Sequence, residues 1–208
     1  MTDEAYFQRN DNTVFLAKTR CKQSTVDGKS VRTVSIMDLS ETVKRYTVDP
    51  LTSLRTRAVL ELEFANLMQR YRLHGEEACA LFVDIDNFKQ INDTAGHQAG
   101  DKVIQTIADI LVSGVRSDDV VVRWGGDEFL VLLFNTPVDT ALKTAEQIRK
   151  KIENTHFECC RHLSCSFGLD TLRPDDTLDK LLSRIDTALA QAKENSKNCV
   201  VQFNGYTR

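Results

Sequence analysis

Proline and long apolar stretches are scarce in this chain. Its 208 residues hold three prolines, and no uninterrupted apolar run is longer than Phe129–Phe134. A bilayer span takes about 20 consecutive apolar residues, so no membrane insertion is expected. The opening MTDEAYFQRN has neither the basic start nor the apolar stretch of a secretory signal. Charge of one sign is lacking too: 27 Lys and Arg against 30 Asp and Glu give a net charge of −3. That balance excludes a general attraction to nucleic acid or anionic lipid. None of the six cysteines forms a C-x-x-C pair. They read as small buried hydrophobes in a reducing compartment, and the chain as a soluble cytoplasmic protein. A G-x-x-x-x-G-K-[ST] loop is absent, so any nucleotide phosphates must be held by metal, backbone and lysines.

What is present alternates between strand and helix patterns. Residues 13–38 alternate loosely around a turn signal, VDGKS, and predict a β-hairpin. The N-terminal segment 1–40 is thus one unit, 41–48 a polar linker, and 49–208 the main domain. Leu60, Phe64, Leu67, Met68 and Tyr71 fall at helical spacing, as do Val103, Ile104, Ile107, Ala108 and Leu111. Leu142, Ala145, Ile148 and Ile152 mark a third helix, and Leu178, Leu181, Ile185 and Leu189 a fourth. ACALFVDI at 78–85 is a continuous apolar run of strand length, suited to a central strand covered on both faces. DVVVRW and EFLVLLF flank two glycines as a second hairpin, and HLSCSFGL and CVVQF are further strands. Helices between strands, with a hairpin included, predict an α/β (α+β) sandwich on a mixed sheet.

Two constellations could carry chemistry. Asp84 and Asp86 end the central strand and share a face at period 2. Paired carboxylates there suit a hard cation such as Mg²⁺, although Asp86 could equally cap the short helix that follows. In RWGGDEFLVL, Gly125 and Gly126 satisfy a turn, and Asp127 and Glu128 open the partner strand. If that strand pairs beside ALFVDI, the carboxylates meet Asp84 and repel one another unless a divalent cation neutralises them. A turn without side chains also lets a bulky anion approach the backbone. Lys89, Lys193 and Lys197 are candidate phosphate ligands, or plain solvated lysines.

Taken together these motifs resemble the GGDEF family of diguanylate cyclases. GGDEF stands at 125–129, DPLTSL at 49–54 resembles the D-x-L-T-x-L opening, and DIDNFKQINDTAGHQAGD at 84–101 matches the family's D-x-D-x-F-K-x-x-N-D-x-x-G-H-x-x-G-D block. SFGL and AKENSKN resemble the closing segments, so the likeness covers about residues 49–203. It implies a fold like nucleotide-cyclase domains and polymerase palms, a ferredoxin-like core with a mostly antiparallel sheet. The implied activity is that of a nucleotidyltransferase condensing two GTP into cyclic di-GMP and two pyrophosphates. It further implies a homodimer in which each protomer holds one GTP, and Mg²⁺ or Mn²⁺, two per active site. On this sequence the metal ligands would be Asp84, the Ile85 carbonyl, Asp127 and Glu128, with Asp127 and Glu128 catalytic. GTP would meet Asn92 and Asp101 through guanine, and Phe88, Lys89, Gly125, Gly126, Lys193 and Lys197 elsewhere.

The family's inhibitory R-x-x-D site falls on Arg116 and Asp119, with Arg123 nearby, which implies product inhibition by cyclic di-GMP. The alternative is a catalytically weak domain that serves as a GTP or cyclic di-GMP receptor. Departures are Thr56 for a usual asparagine, and Ala95 and Ala190 where aromatics are common. The N-terminal hairpin resembles the last strands of a PAS sensor domain.

Overall fold

In the computed structural model, residues 2–10, 14–26, 29–39, 43, 46–160 and 162–205 are described. The chain divides into two compact units, Met1–Val48 and Asp49–Arg208. Residues 27 and 28 of the expected turn, and 41, 42, 44 and 45 of the expected linker, lie outside the described residues.

The first unit is a three-stranded antiparallel sheet of β1 (Thr2–Gln8), β2 (Val14–Val26) and β3 (Lys29–Asp38), in that order. The expected hairpin is therefore a meander with one more strand. Phe7 pairs with Phe15 and Ala5 with Ala17, which carries the alternation of β2 into β1. Asp3 and Glu4 hid that strand in the sequence, because acidic residues are depleted from strands.

The second unit contains a six-stranded mixed sheet. Its strands are β4 (Arg55–Thr56), β5 (Cys79–Ile85), β6 (Val120–Gly125), β7 (Glu128–Leu133), β8 (Cys165–Thr171) and β9 (Val200–Gln202). The order is β4-β6-β7-β5-β8-β9, with the three inner pairs antiparallel and the two outer pairs parallel. The helices are α1 (Leu60–His74), α2 (Phe88–Ala95), α3 (His97–Gly114), α4 (Val138–Glu153) and α5 (Leu178–Glu194). This is the expected sandwich. Among the described residues no helix is long and apolar enough to cross a membrane.

Period-2 alternation along the buried strand β5 sorts the two cores. Cys79, Leu81, Val83 and Ile85 pack with Ile91 of α2, Ile104 and Ile107 of α3 and Ile148 of α4. Ala80 and Phe82 pack on the other face with Leu67 of α1 and Ile185 and Leu189 of α5. Asp84 shares the parity of the second set, so it projects toward α5. Gly168 on β8 lets α5 lie close, since a Cβ there would collide with the backbone of Ile185 and Leu189. The start of α5 is set by Thr177, whose hydroxyl accepts the Lys180 N–H (3.3 Å). Close helix–strand packing thereby aims the last turn of α5, with Lys193, at the end of β5. All six cysteines are free thiols; Cys79 and Cys165 are buried, and burial pushes the Cys79 thiol up to about 12.

Candidate functional site

The signature turn joins β6 to β7. Gly125 pairs with Glu128, leaving Gly126 and Asp127 as a two-residue loop, with Gly126 at φ +51°. Short hairpin loops need positive φ at their first central position, and glycine supplies it without a steric penalty. A Cβ at Gly125 or Gly126 would meet no atom within 4 Å, so the space before the turn is open. That opening fits the approach of a bulky ligand to the backbone.

Arg123 holds this turn in place. Its Nε and Nη2 donate to the Gly126 carbonyl (3.1 and 2.8 Å), and Nη1 reaches both oxygens of Asp49 (3.0 and 3.1 Å). Asp49 also accepts the Thr52 N–H (2.9 Å) and hydroxyl (2.7 Å). Burial raises the Asp49 pKa, but the bonds from Thr52 and Arg123 outweigh it and leave the carboxyl below its ordinary value. The opening motif and the signature are thus one unit, tied by a residue expected at the inhibitory site. In this structure every nitrogen of the Arg123 guanidinium donates to the turn or to Asp49.

Across the sheet, β7 and β5 place Glu128 opposite Asp84 in register, and the Ile85 N–H donates to the Asp127 carbonyl (3.3 Å). Asp84 is 8% exposed and accepts from Lys193 Nζ at 2.7 Å. Burial raises the Asp84 pKa above the ordinary carboxylate value; Lys193 opposes this, and Asp127 and Asp86 add to it. Glu128 is likewise raised, by burial first and then by the charge of Asp84. Among the described residues no three metal-ligating side chains stand together as a ready cage. The ammonium of Lys193 instead supplies the positive charge. The oxygens offered at this edge, two carboxylates in register and the carbonyl side of the β5 terminus, suit a hard cation, and burial with mutual repulsion outweighs Lys193 there.

The guanine candidates lie on α2 and α3. Asn92 Oδ1 is buried and has no hydrogen-bond partner. Such an orphan is uncommon and points to an absent donor. Gly100 makes room for it, since a Cβ at that position would collide with this oxygen. Asp101 is exposed on α3, Phe88 opens α2 half-buried, and Lys89 is exposed. Lys197 donates to Asn87 Oδ1 (2.6 Å), where Asn87 sits at φ +57° before α2.

Arg116 is exposed, and the Asp119 carboxylate clips its own loop. Asp119 accepts the Arg116 N–H (2.8 Å) and the Phe134 N–H (3.0 Å). Both residues line a cavity of 230 Å³, and Arg123 does not. Asp86 does not meet the capping expectation made for its side chain. No side chain caps α2, and the Asp86 carboxylate accepts from Ser164, Ser166 and Asn198. Those partners are 78 to 112 residues away, so no local signal could have found them.

Comparison with known proteins agrees with this architecture. Residues 46–199 match the family described as diguanylate cyclase, GGDEF domain. The response regulator PleD of Caulobacter vibrioides is 36% identical over 170 residues, which cover 79% of this chain and 37% of that protein. The diguanylate cyclase DosC of Escherichia coli is 34% identical, with 79% and 37% covered. The chain therefore spans a little over one third of the length of these curated relatives. Among solved structures, the coiled coil and GGDEF domain of DgcB from Caulobacter crescentus, in complex with c-di-GMP, superposes with a TM-score of 0.73 at 26% identity, covering 79% of this chain and 89% of that one. The active GGEEF domain of a diguanylate cyclase from Vibrio cholerae gives 0.69 at 33% identity, covering 73% and 98%. With the signature turn, the paired carboxylates and the fold in agreement, the chain belongs to the GGDEF diguanylate cyclase domain family.

Proposed function

We propose that the chain is a Mg²⁺-dependent diguanylate cyclase that condenses two GTP into cyclic di-GMP and two pyrophosphates. The observation that carries this reading is the in-register pair Asp84–Glu128 beside the open Gly125–Gly126 turn. Asp84, the Ile85 carbonyl, Asp127 and Glu128 would hold Mg²⁺ or Mn²⁺, two ions per active site. Bound there, the metal would lower the pKa of a ribose 3′-OH and neutralise charge on the attacked α-phosphate.

The chain's own residues do the rest. Asp127, in the turn, accepts the 3′-OH proton. Lys193 exchanges its contact with Asp84 for a phosphate, and Lys89 and Lys197 grip the remaining phosphate oxygens. Phe88 lies against the nucleotide at the start of α2. The Asp101 carboxylate accepts from the guanine N1–H and 2-amino group, and the orphaned Asn92 amide finds its partner on the same base. Adenine would leave these groups unpaired, which makes for strong discrimination. One protomer holds one GTP, so two copies must face each other for the 3′-OH of one nucleotide to reach the α-phosphate of the other. Arg116 and Asp119, with Arg123 nearby, form the inhibitory site for cyclic di-GMP. The exposed guanidinium of Arg116 suits a phosphate or a guanine edge.

The test is incubation with GTP and Mg²⁺ while cyclic di-GMP and pyrophosphate are followed. Two pyrophosphates per cyclic di-GMP are expected, with a rate per protomer that rises with protein concentration. Absence of product at high protein concentration, with cyclic di-GMP still bound, would overturn the enzymatic reading in favour of a receptor. Arg116→Ala should relieve inhibition by added product, and unchanged inhibition would remove that site.

A further inference from the structure

Asp86 is 6% exposed, as buried as Asp84, yet its carboxylate faces a different set of groups. Its Oδ2 accepts from Ser164 Oγ (2.6 Å) and from the Asn198 N–H (3.1 Å), and Oδ1 accepts from Ser166 Oγ (2.7 Å). Ser164 directly precedes β8, Ser166 lies within it, and Asn198 belongs to the loop that follows α5. In that loop Ser196, Lys197 and Asn198 lie at φ +76°, +63° and +48°. Single non-glycine residues visit this left-handed region at a cost, and three in succession need an outside hold.

The hold is visible on Asn198. Its backbone N–H is taken by Asp86, its Nδ2 donates to Glu153 Oε1 (2.7 Å), and its Oδ1 accepts from Arg149 Nη1 (2.6 Å). The residue before it, Lys197, is thereby presented to the mouth of α2, where its ammonium meets Asn87. We infer that Asp86 is a positioning residue, a latch that fixes the left-handed loop so that Lys197 is held over the nucleotide phosphates. Both of its oxygens accept hydrogen bonds from protein donors, which orients the carboxylate toward β8 and the loop. This role rests on the nucleotide reading given above.

Four variants and two readouts test it. Asp86→Ala leaves the Asn198 N–H without its acceptor. Asp86→Asn keeps one oxygen for that N–H, while the Ser166 hydroxyl turns to accept from the new amide. The Asn198 amide should exchange with solvent about tenfold faster in Asp86→Ala and near the wild-type rate in Asp86→Asn, a change of the size of one net hydrogen bond. With a non-hydrolysable GTP analogue and Mg²⁺, Asp86→Ala and Lys197→Ala should each raise Kd about tenfold. The double variant should be no worse than Lys197→Ala alone, since the latch acts through that lysine.

Multiplying effects in the double variant would overturn the inference. So would an Asp86→Asn variant that loses analogue binding, the behaviour of a metal ligand. Should Asp86→Ala fail to fold, Asp86→Asn decides by the same two readouts. Wild-type protein that binds no analogue overturns the nucleotide reading itself. That outcome is distinguishable, because the exchange of Asn198 reports the latch without any ligand.

Discussion

Two acidic clusters lie at opposite ends of the same antiparallel strand pair, and they are balanced differently. At one end, Asp84 of β5 sits beside Asp127 and Glu128 with Lys193 as the cation in contact. At the other, Asp170 of β8 lies opposite Ala80, at the start of β5, and joins Asp176 around Arg184. Asp176 is gripped by both terminal nitrogens of Arg184 (2.7 Å each), and Arg173 adds a contact to Asp170 (3.2 Å). Asp170 is 1% exposed, deeper than any carboxylate of the first cluster, and is nevertheless paired. Buried charges persist when paired and hydrogen-bonded. The second cluster obeys that rule by itself. In the first, the Lys193 ammonium contacts Asp84, and burial first, then the charge of neighbouring carboxylates, raises Asp84 and Glu128 above their ordinary values. The cluster whose carboxylates stay raised is the one to which the proposed function gives a cation and substrate.

The largest effect that would break this comparison is on catalysis. Asp84→Asn and Glu128→Gln should each lower turnover by roughly 10³-fold or more, if several kcal/mol of charge stabilisation is lost. Both should keep their circular dichroism, and retained activity would remove these residues from the reaction. Next in size is a loss of stability at the other cluster. Arg184→Met removes the cation that bridges two buried carboxylates and leaves them only Arg173, which costs about 3–5 kcal/mol and lowers Tm by roughly 10 °C in a domain of this size. Lys193→Met, whose side chain is far more exposed, should shift Tm much less; equal losses would erase the distinction.

The smallest effect sharpens the comparison through pH. Asp84 has a folded pKa above its unfolded one, so its favourable contribution is complete below the unfolded value and is lost as pH rises through the folded value. Without metal, Asp84→Asn should therefore melt a few degrees above wild type at pH 7 and level with it near pH 3. Millimolar Mg²⁺ should raise the wild-type Tm at pH 7 and leave the variant unmoved. A wild type already more stable than the variant without metal would show that Lys193 alone balances the site.

Much of this was legible along the chain. The helical spacing of Leu60, Phe64 and Leu67, the apolar run of β5 and the glycine pair at 125–126 each carry their structure locally. The acidic strand β1 was not legible, because Asp3 and Glu4 argue against a strand whose partner supplies the alternation. The tie between Arg123 and Asp49, 74 residues earlier, was not legible because the two meet only in three dimensions. Asp86 looked like Asp84 because period 2 gives equal parity, whereas the strand ends at Ile85 and the chain turns away.

By itself the sequence determined the residue types, their order and the local geometry: a side-chain-free turn followed by two carboxylates, and a strand ending in another. Those depend on φ preferences and apolar periodicity, which act over a few residues. Only the tertiary structure decided which charges meet. Register between β5 and β7 sets Glu128 opposite Asp84, close packing of α5 on Gly168 delivers Lys193, and a left-handed loop returns Asn198 to Asp86. Pairings of that kind depend on strand order and helix approach, and neither is written in any short stretch of the chain.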